Sequence, residues 1–223
     1  MKNATMTEPK PERIDRRRVR TRAALLRAGQ KLFSERSVDG VSIDDIVAVA
    51  EVAKGSFYNH FPDKEALAKE LSDTARASVE AMVAKLSPGI DDPAERVARA
   101  LCAFARQAVE NPVGVGAMHR LFHGAGIPDF PMNRGVRAEV HAGITGGRFQ
   151  GLSVEGGVLL TVGVAQILTG RILEQGSRKD EAEGLARELV FGLLRGLGLE
   201  SASAKVIAAK ASADIFAGPS PAG

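Results

Sequence analysis

Twenty residues, Ser42 to Phe61 (SIDDIVAVAEVAKGSFYNHF), restrict what this chain can fold into more than any other stretch. Ser42 lies three residues ahead of Asp45, so its hydroxyl can accept from the free Asp45 N–H while the Asp45 carboxylate reaches back. A helix is therefore predicted to start there, with Ile43, Ile46, Val47 and Ala50 sharing one face at helical spacing. Glu51, Val52 and Ala53 interrupt it. Lys54 to His60 reads as a second helix that turns Phe57 and Phe61 inward and leaves Ser56, Tyr58, Asn59 and His60 outward. Its N-terminal end is small and polar, which lets a first turn approach base edges in a major groove, and its free N–H groups attract phosphate.

The run Lys54-Gly55-Ser56-Phe57-Tyr58-Asn59-His60-Phe61 resembles the end of the helix-turn-helix in the TetR family of bacterial transcriptional regulators, whose pattern is Lys-Gly-Ser/Thr-x-Tyr-x-x-Phe. Asp63-Lys64-Glu65-Ala66-Leu67 is similar to the start of that family's next helix. The resemblance covers about residues 21 to 68, and beyond them it is one of architecture. It implies an all-α protein, a three-helix DNA-binding domain followed by a helical effector-binding and dimerisation bundle. Two departures stand out. Glu51 occupies the place where the turn usually carries Gly, so it must accept the backbone angle of that turn. Ala53 stands where a Ser or Thr usually caps the second helix, which gives up a side-chain cap worth roughly 1 kcal/mol.

At 223 residues the chain is long enough for a small domain and a larger one. A hydrophobic content of 44% excludes disorder for its bulk. Cys102 is the only cysteine, which excludes an intramolecular disulfide and a cysteine-based metal framework. The charged N-terminus has no apolar run behind it, so no secretory signal is expected. The most apolar stretch, Gly156 to Leu168, is short for a membrane span and contains Gln166. A cytoplasmic protein with no membrane partner is the expectation. The net charge is only +3, yet Met1 to Arg22 holds eight Lys/Arg against three acids, a local balance of +5. Residues 1–16 are expected to form a flexible basic arm, and arginines from this region, among them Arg18 and Arg22, are candidates for phosphate or minor-groove contact.

Four segments follow from pattern: the arm (1–16), a DNA-binding domain (17–62), a bundle (63–217) and a tail (218–223). Helix 1 is predicted from about Arg17 to Arg36, with Leu25, Ala28, Leu32 and Phe33 inward and Val19 extending that face. Asp63 can cap a helix running to about Leu86, and Asp92 caps the next, with Pro93 at its first position. Further helices are expected at about 113–123, 133–149, 155–175, 180–197 and 201–216. The 155–175 helix is apolar nearly all round and needs partners on all sides. In the last helix Val206, Ala209, Ala213 and Phe216 fall in line. Two helices of each protomer are expected, from the resemblance, to form a four-helix bundle across a two-fold axis. Leu160, Val164, Leu168, Leu189, Gly192, Leu193 and Gly196 are its candidate contacts.

For nucleic acid, the matching family positions imply Lys54, Gly55, Ser56, Asn59 and His60 as base or phosphate contacts and Tyr58 as a phosphate contact. Ser42 and Lys64, each at a helix start, are further phosphate candidates. A symmetric dimer would read a near-palindromic double-stranded operator with half-sites roughly 34 Å apart. The resemblance also implies a small-molecule effector pocket within the bundle. Phe104, Met118, Phe122, Phe149 and Ile167 are candidates for its wall, and His119 and Arg137 for its polar groups. The expected function is a ligand-responsive transcriptional regulator, a repressor released from its operator by the effector, with no cofactor and no enzymatic activity. Two alternatives stay open: a ligandless architectural DNA binder with a filled core, and a helical metal-dependent enzyme using His119, His123 and His141. No phosphate loop and no nucleophile elbow accompanies them.

Overall fold

The structure, a computed structural model, describes residues 12–121 and 133–218. Its helices are α1 (Glu12–Glu35), α2 (Ile43–Ala50), α3 (Lys54–Tyr58), α4 (Lys64–Leu86), α5 (Pro93–Glu110), α6 (Pro112–Leu121), α7 (Arg134–Thr145), α8 (Val154–Gln175), α9 (Lys179–Gly196) and α10 (Ser201–Ala217). No strand occurs among the described residues. The protein is all-α, as expected. The first helix begins at Glu12 rather than near Arg17, so residues 12–16, assigned by charge to a flexible arm, are helical. Charge density argues for solvation, but it does not prevent a helix that continues an amphipathic one.

Helices α1 to α3 and the start of α4 enclose a small core. Leu25, Leu32, Phe33, Ile46, Phe57, Phe61 and Leu67 are all buried in it. Val19 is not part of that face; it is 61% exposed, because helix α1 projects past the core at its N-terminal end. The capping box forms as predicted: Asp45 N–H donates to Ser42 Oγ at 3.1 Å, and Ser42 N–H donates to the Asp45 carboxylate at 3.0 Å.

The turn between α2 and α3 carries the strain foreseen at Glu51. Its φ of 54° and ψ of 43° lie in the left-handed region, where a side chain crowds the following carbonyl. It stays there because its N–H and that of Val52 close the end of α2, onto Ala48 and Val47 carbonyls. Ala53 offers no side-chain cap to α3, so this helix is only five residues long and Asn59 and His60 belong to the turn after it.

The larger core is built around α5, which packs on α7, α8, α9 and α10. Leu101, Leu168, Ile172, Val190, Leu193, Leu194 and Phe216 fill it. Helix α7 stops at Thr145, short of the expected 149, and the chain folds back through Gly146 and Gly147. Phe149 then lies against Gly143, where a Cβ would come within 2.1 Å of its ring. The last helix packs on α5 and α9 through Ala204, Ile207, Ala208, Ala211, Ile215 and Phe216. This corrects the predicted stripe, since Val206 is 67% exposed and Ala209 and Ala213 face solvent. An alanine-rich helix lacks a polar face to set the phase of its apolar one. Arg106, itself buried, closes the end of α10 by donating to the carbonyls of Ile215 (2.6 Å) and Gly218 (2.7 Å).

Two joints connect the small core to the large one. Helix α4 is buried at Leu67 and Ala68 in the first core and at Met82 in the second. Between Ala68 and Met82 no described side chain is buried. Helix α1 meanwhile packs along α6, with Ser34 Cβ 3.7 Å from where a Cβ on Gly116 would stand. At the turn, Glu51→Gly should relieve the left-handed strain and stabilise the protein by about 1 kcal/mol, read as a higher Tm in thermal unfolding. An unchanged or lower Tm would mean that the angle is not strained.

Candidate DNA-binding face and ligand cavity

Helix α3 presents its polar side outward. Tyr58 is 52% exposed, Lys54, Gly55 and Asn59 are exposed, and Ser56 and His60 are half-buried. Phe57 anchors the helix from below, edge-on to Tyr58 with ring centroids 5.6 Å apart. The Lys54 ammonium pairs with Asp44 of α2 at 2.9 Å, an exposed contact that raises its pKa. Burial and the nearby charges of Arg18 and Arg22 lower the pKa of His60. At neutral pH it therefore offers a hydrogen bond rather than a charge.

Three of the expected phosphate contacts hold the protein together instead of standing free. Arg22 forks onto the Glu70 carboxylate of α4, and its guanidinium lies 5.1 Å from the centre of the Phe61 ring. Lys64 Nζ donates to the Val41 carbonyl at 3.0 Å and the Asp39 carbonyl at 3.3 Å, tying the start of α4 to the turn before α2. Ser42 is occupied as a helix cap. Arg18, by contrast, is exposed. On the neighbouring face Arg16, Arg17, Arg20 and Arg27 edge a shallow groove that reaches Val52 in the turn. This basic groove escapes a reading of motif positions alone; the cluster of arginines is its only signal in the sequence.

In the bundle, a cavity of about 470 Å³ lies between α4, α5, α7 and α8, with α6 closing one side. Phe104, Met118 and His119, three of the candidate pocket residues, line it. Gly170 of α8 lets the His119 ring approach, since a Cβ there would lie 3.2 Å from it. Three expected residues do not line it. Phe149 is 2% exposed and packed on Gly143 within the core, Ile167 is 69% exposed on the outer side of α8, and Arg137 sits outside the lining of the cavity. Phe122 lies outside the described residues.

Most of the lining is apolar, but polar groups gather at one wall. Arg96 of α5 and Glu139 of α7 pair at 2.5 Å. Arg96 Nε and Ser87 Oγ are buried without a hydrogen-bond partner. Asn133, Gln166 and Thr169 are further polar members of the lining. No group of three metal-type side chains occurs among the described residues, and His123 lies outside them.

On the outer side of the bundle, Leu168 and Leu193 are buried within the protomer and are not available to a second copy. Gly196 is also used internally, since Leu160 lies across it with a Cβ position 2.8 Å from Leu160 Cδ2. Gly192 is open, with nothing near it, and Val164 and Leu189 are half-buried. Leu159 and Ile167, which the sequence reading passed over as interface residues, are exposed on α8.

Comparison with known proteins agrees with this geometry. The family described as bacterial regulatory proteins, tetR family, matches residues 25–71. Over 49 residues the chain is 51% identical to the HTH-type transcriptional repressor DhaR of Mycobacterium sp. (strain GP1), a match covering 22% of this chain and 25% of that protein. Over 46 residues it is 44% identical to the repressor NemR of Escherichia coli (strain K12), covering 21% of this chain and 23% of that protein. These matches thus span about a quarter of the length of the relatives. The structural likeness is broader. The crystal structure of RolR with resorcinol superposes with a TM-score of 0.61 at 27% identity, covering 88% of this chain and 96% of that one. That of a gamma-butyrolactone receptor (ArpA-like protein) gives 0.62 at 24% identity, covering 87% and 98%, and speaks for the fold. These relatives are regulators and not enzymes. The helix-turn-helix domain of this chain thus matches the tetR family of bacterial regulatory proteins in sequence over residues 25–71, and its helical architecture is similar to that of RolR along most of its length.

Proposed function

We propose that this protein is a homodimeric, ligand-responsive regulator of transcription, a repressor that leaves a palindromic operator when a small molecule occupies the bundle. The observation that carries the reading is a junction. The exposed polar helix α3 belongs to a small core whose two supports, α1 and α4, rest directly on the helices that wall the cavity. A filled, ligandless core would have no such space, so the cavity weighs against an architectural binder. Its volume lies within the range of small-molecule sites, and its apolar lining with a few gathered polar groups is their usual composition. RolR, which resembles this chain along almost its whole length, was solved with resorcinol. By analogy, the effector is a small molecule of mainly apolar surface with a few polar groups.

The mechanism is a shift between two arrangements of the bundle. A ligand in the cavity favours the arrangement that gives it the better fit. Helix α6 carries Met118 and His119 on the cavity side and α1 on the other, so its movement reaches α1 without passing through the chain connection. Helix α4 transmits through Leu67, at the floor of the DNA-binding core. Either route changes the separation of the two α3 helices in a dimer, and a spacing matched to one helical turn of DNA tolerates little change.

The second copy is expected on the outer side of α8 and α9. Leu159 and Ile167 lie there unpartnered, and Gly192 leaves room for close approach.

Duplexes selected from a random pool provide the DNA for a test. Tyr58→Phe keeps the edge-on contact with Phe57 and removes only the hydroxyl, so it should weaken binding about fivefold, as loss of one phosphate contact does. Lys54→Ala should lower the dependence of log K on log salt by about one unit. Both measurements are binding titrations in fluorescence anisotropy. Normal affinity and salt slope in both variants would remove α3 from the interface. Resorcinol and related small phenols, titrated against the protein–DNA complex, test the response. Release on saturation of the cavity is expected, and unchanged DNA affinity with ligand bound would defeat the proposed switch.

A further inference from the structure

A second cavity, of about 450 Å³, lies on the other side of α4, where α1, α5 and α6 meet it. It shares Val79, Phe104, Val115 and Met118 with the first cavity. The two spaces therefore adjoin at these side chains, of which Phe104 and Met118 are only partly buried. At the floor of the second lies Gln107 of α5, 9% exposed, whose amide Nε2 is buried with no hydrogen-bond partner. Gln30 of α1 and Leu71 of α4 form the side toward the DNA-binding core.

We infer that this second chamber is part of the ligand site, and that the ligand is an elongated, mainly apolar molecule carrying a neutral carbonyl acceptor that receives the Gln107 amide N–H. This rests on the ligand-responsive reading above and extends it to a second position and a chemical class. An amide donor enclosed without a partner costs free energy that only an acceptor recovers. Leu71, Met82, Phe104, Val115 and Met118 share the lining with Gln30, Thr74, Ser78, Lys85 and Asn111; the Lys85 ammonium already has a partner, so the acceptor that Gln107 lacks needs no charge, and a neutral one costs less to bury. A body that fills the first cavity and passes Phe104 and Met118 brings its far end under Gln107. There it wedges between α1 and α4 themselves, rather than acting on them through α6.

Phenylalkyl methyl ketones supply the probe, with the spacer between ring and carbonyl lengthened one methylene at a time, and the phenylalkanes of equal length are the controls. Affinities are measured on the full chain by calorimetry. Ketone affinity should rise to an optimum spacer length. Gln107→Leu, nearly equal in volume, removes the unpartnered amide, so its Tm should match or exceed that of the parent. At the optimum spacer it should bind the ketone about tenfold more weakly while binding the phenylalkane unchanged. Phe104→Trp, which narrows the passage, should weaken the long ketones and spare the shortest.

Equal loss for ketone and hydrocarbon, no loss for either, or no binding by any member of the series overturns the inference. If the ketones bind as expected and DNA affinity does not change, the chamber stands and the regulatory reading falls. If small phenols release DNA while Gln107→Leu leaves ketone binding untouched, the regulatory reading stands and the second chamber falls.

Discussion

Helix α4 belongs to two hydrophobic cores at once, and the remainder of the architecture follows from that constraint. Leu67 and Ala68 are enclosed with Phe33, Ile46, Phe57 and Phe61 at one end, and Met82 is enclosed with the α5 and α9 side chains at the other. Close-packed cores resist continuous deformation, so each end of α4 moves with its own core as a unit. The middle of the helix has no such anchor among its described side chains, and cavities lie on both flanks. The helix is thus held at its ends and unsupported at its centre. Helix α1 supplies the second bearing, because its inner face fills the small core and its other side rests on α6.

How far the sequence discloses this depends on whether local or distant residues decide each feature. The capping box at Ser42 and Asp45, the inward Phe57 and Phe61, and the Asp92-Pro93 helix start are settled within a few residues, and the structure places them as read. The strain at Glu51 is equally local. Where helices lack a polar face, periodicity loses its phase: α10 is turned away from its predicted stripe, and α8 places Ile167 outside and Leu168 inside. Cavity walls are harder still. Phe149 and Phe104 are both wall candidates by sequence, yet the first fills a gap opposite Gly143 and the second borders empty space. That difference depends on residues dozens of positions away, which a single sequence does not pair.

Charge tells a related story. Counting basic residues near the helix-turn-helix suggests a broad phosphate-binding surface, but several of those side chains already have partners within the protein. Arg22 braces α1 against α4 through Glu70, Lys64 holds the turn carbonyls of Asp39 and Val41, and Lys54 leans on Asp44. An exposed pair such as Lys54–Asp44 contributes little to stability in water and exchanges readily for a phosphate, whereas Arg22 would give up both a carboxylate fork and the Phe61 ring. The first is therefore suited to contact DNA on arrival, and the second to keep α3 oriented while it does. The exposed arginines beside Val52 carry positive charge that would attract a duplex without specifying its sequence.

Helix α8 brings the sequence and the structure into apparent conflict. Its 22 residues are long and apolar enough to cross a membrane, yet only 33% of its most apolar window is buried. A bilayer would ask for an apolar surface on every side, and α8 does not present one: Gly157, Val158, Thr161, Leu168 and Ile172 face α5, α7 and α9 within the protomer. What remains uncovered is one stripe, with Leu159 and Ile167 exposed and Val164 half-buried. A stripe two turns long matches the partner helix of an isologous dimer, because a two-fold axis lays the same stripe against itself. On this argument the excess hydrophobicity of α8 divides into two parts. One part is buried in the protomer around its cavity, and the other is the exposed stripe on which the proposed second copy would lie, so in that dimer the helix that borders the cavity would also set the separation of the two α3 helices.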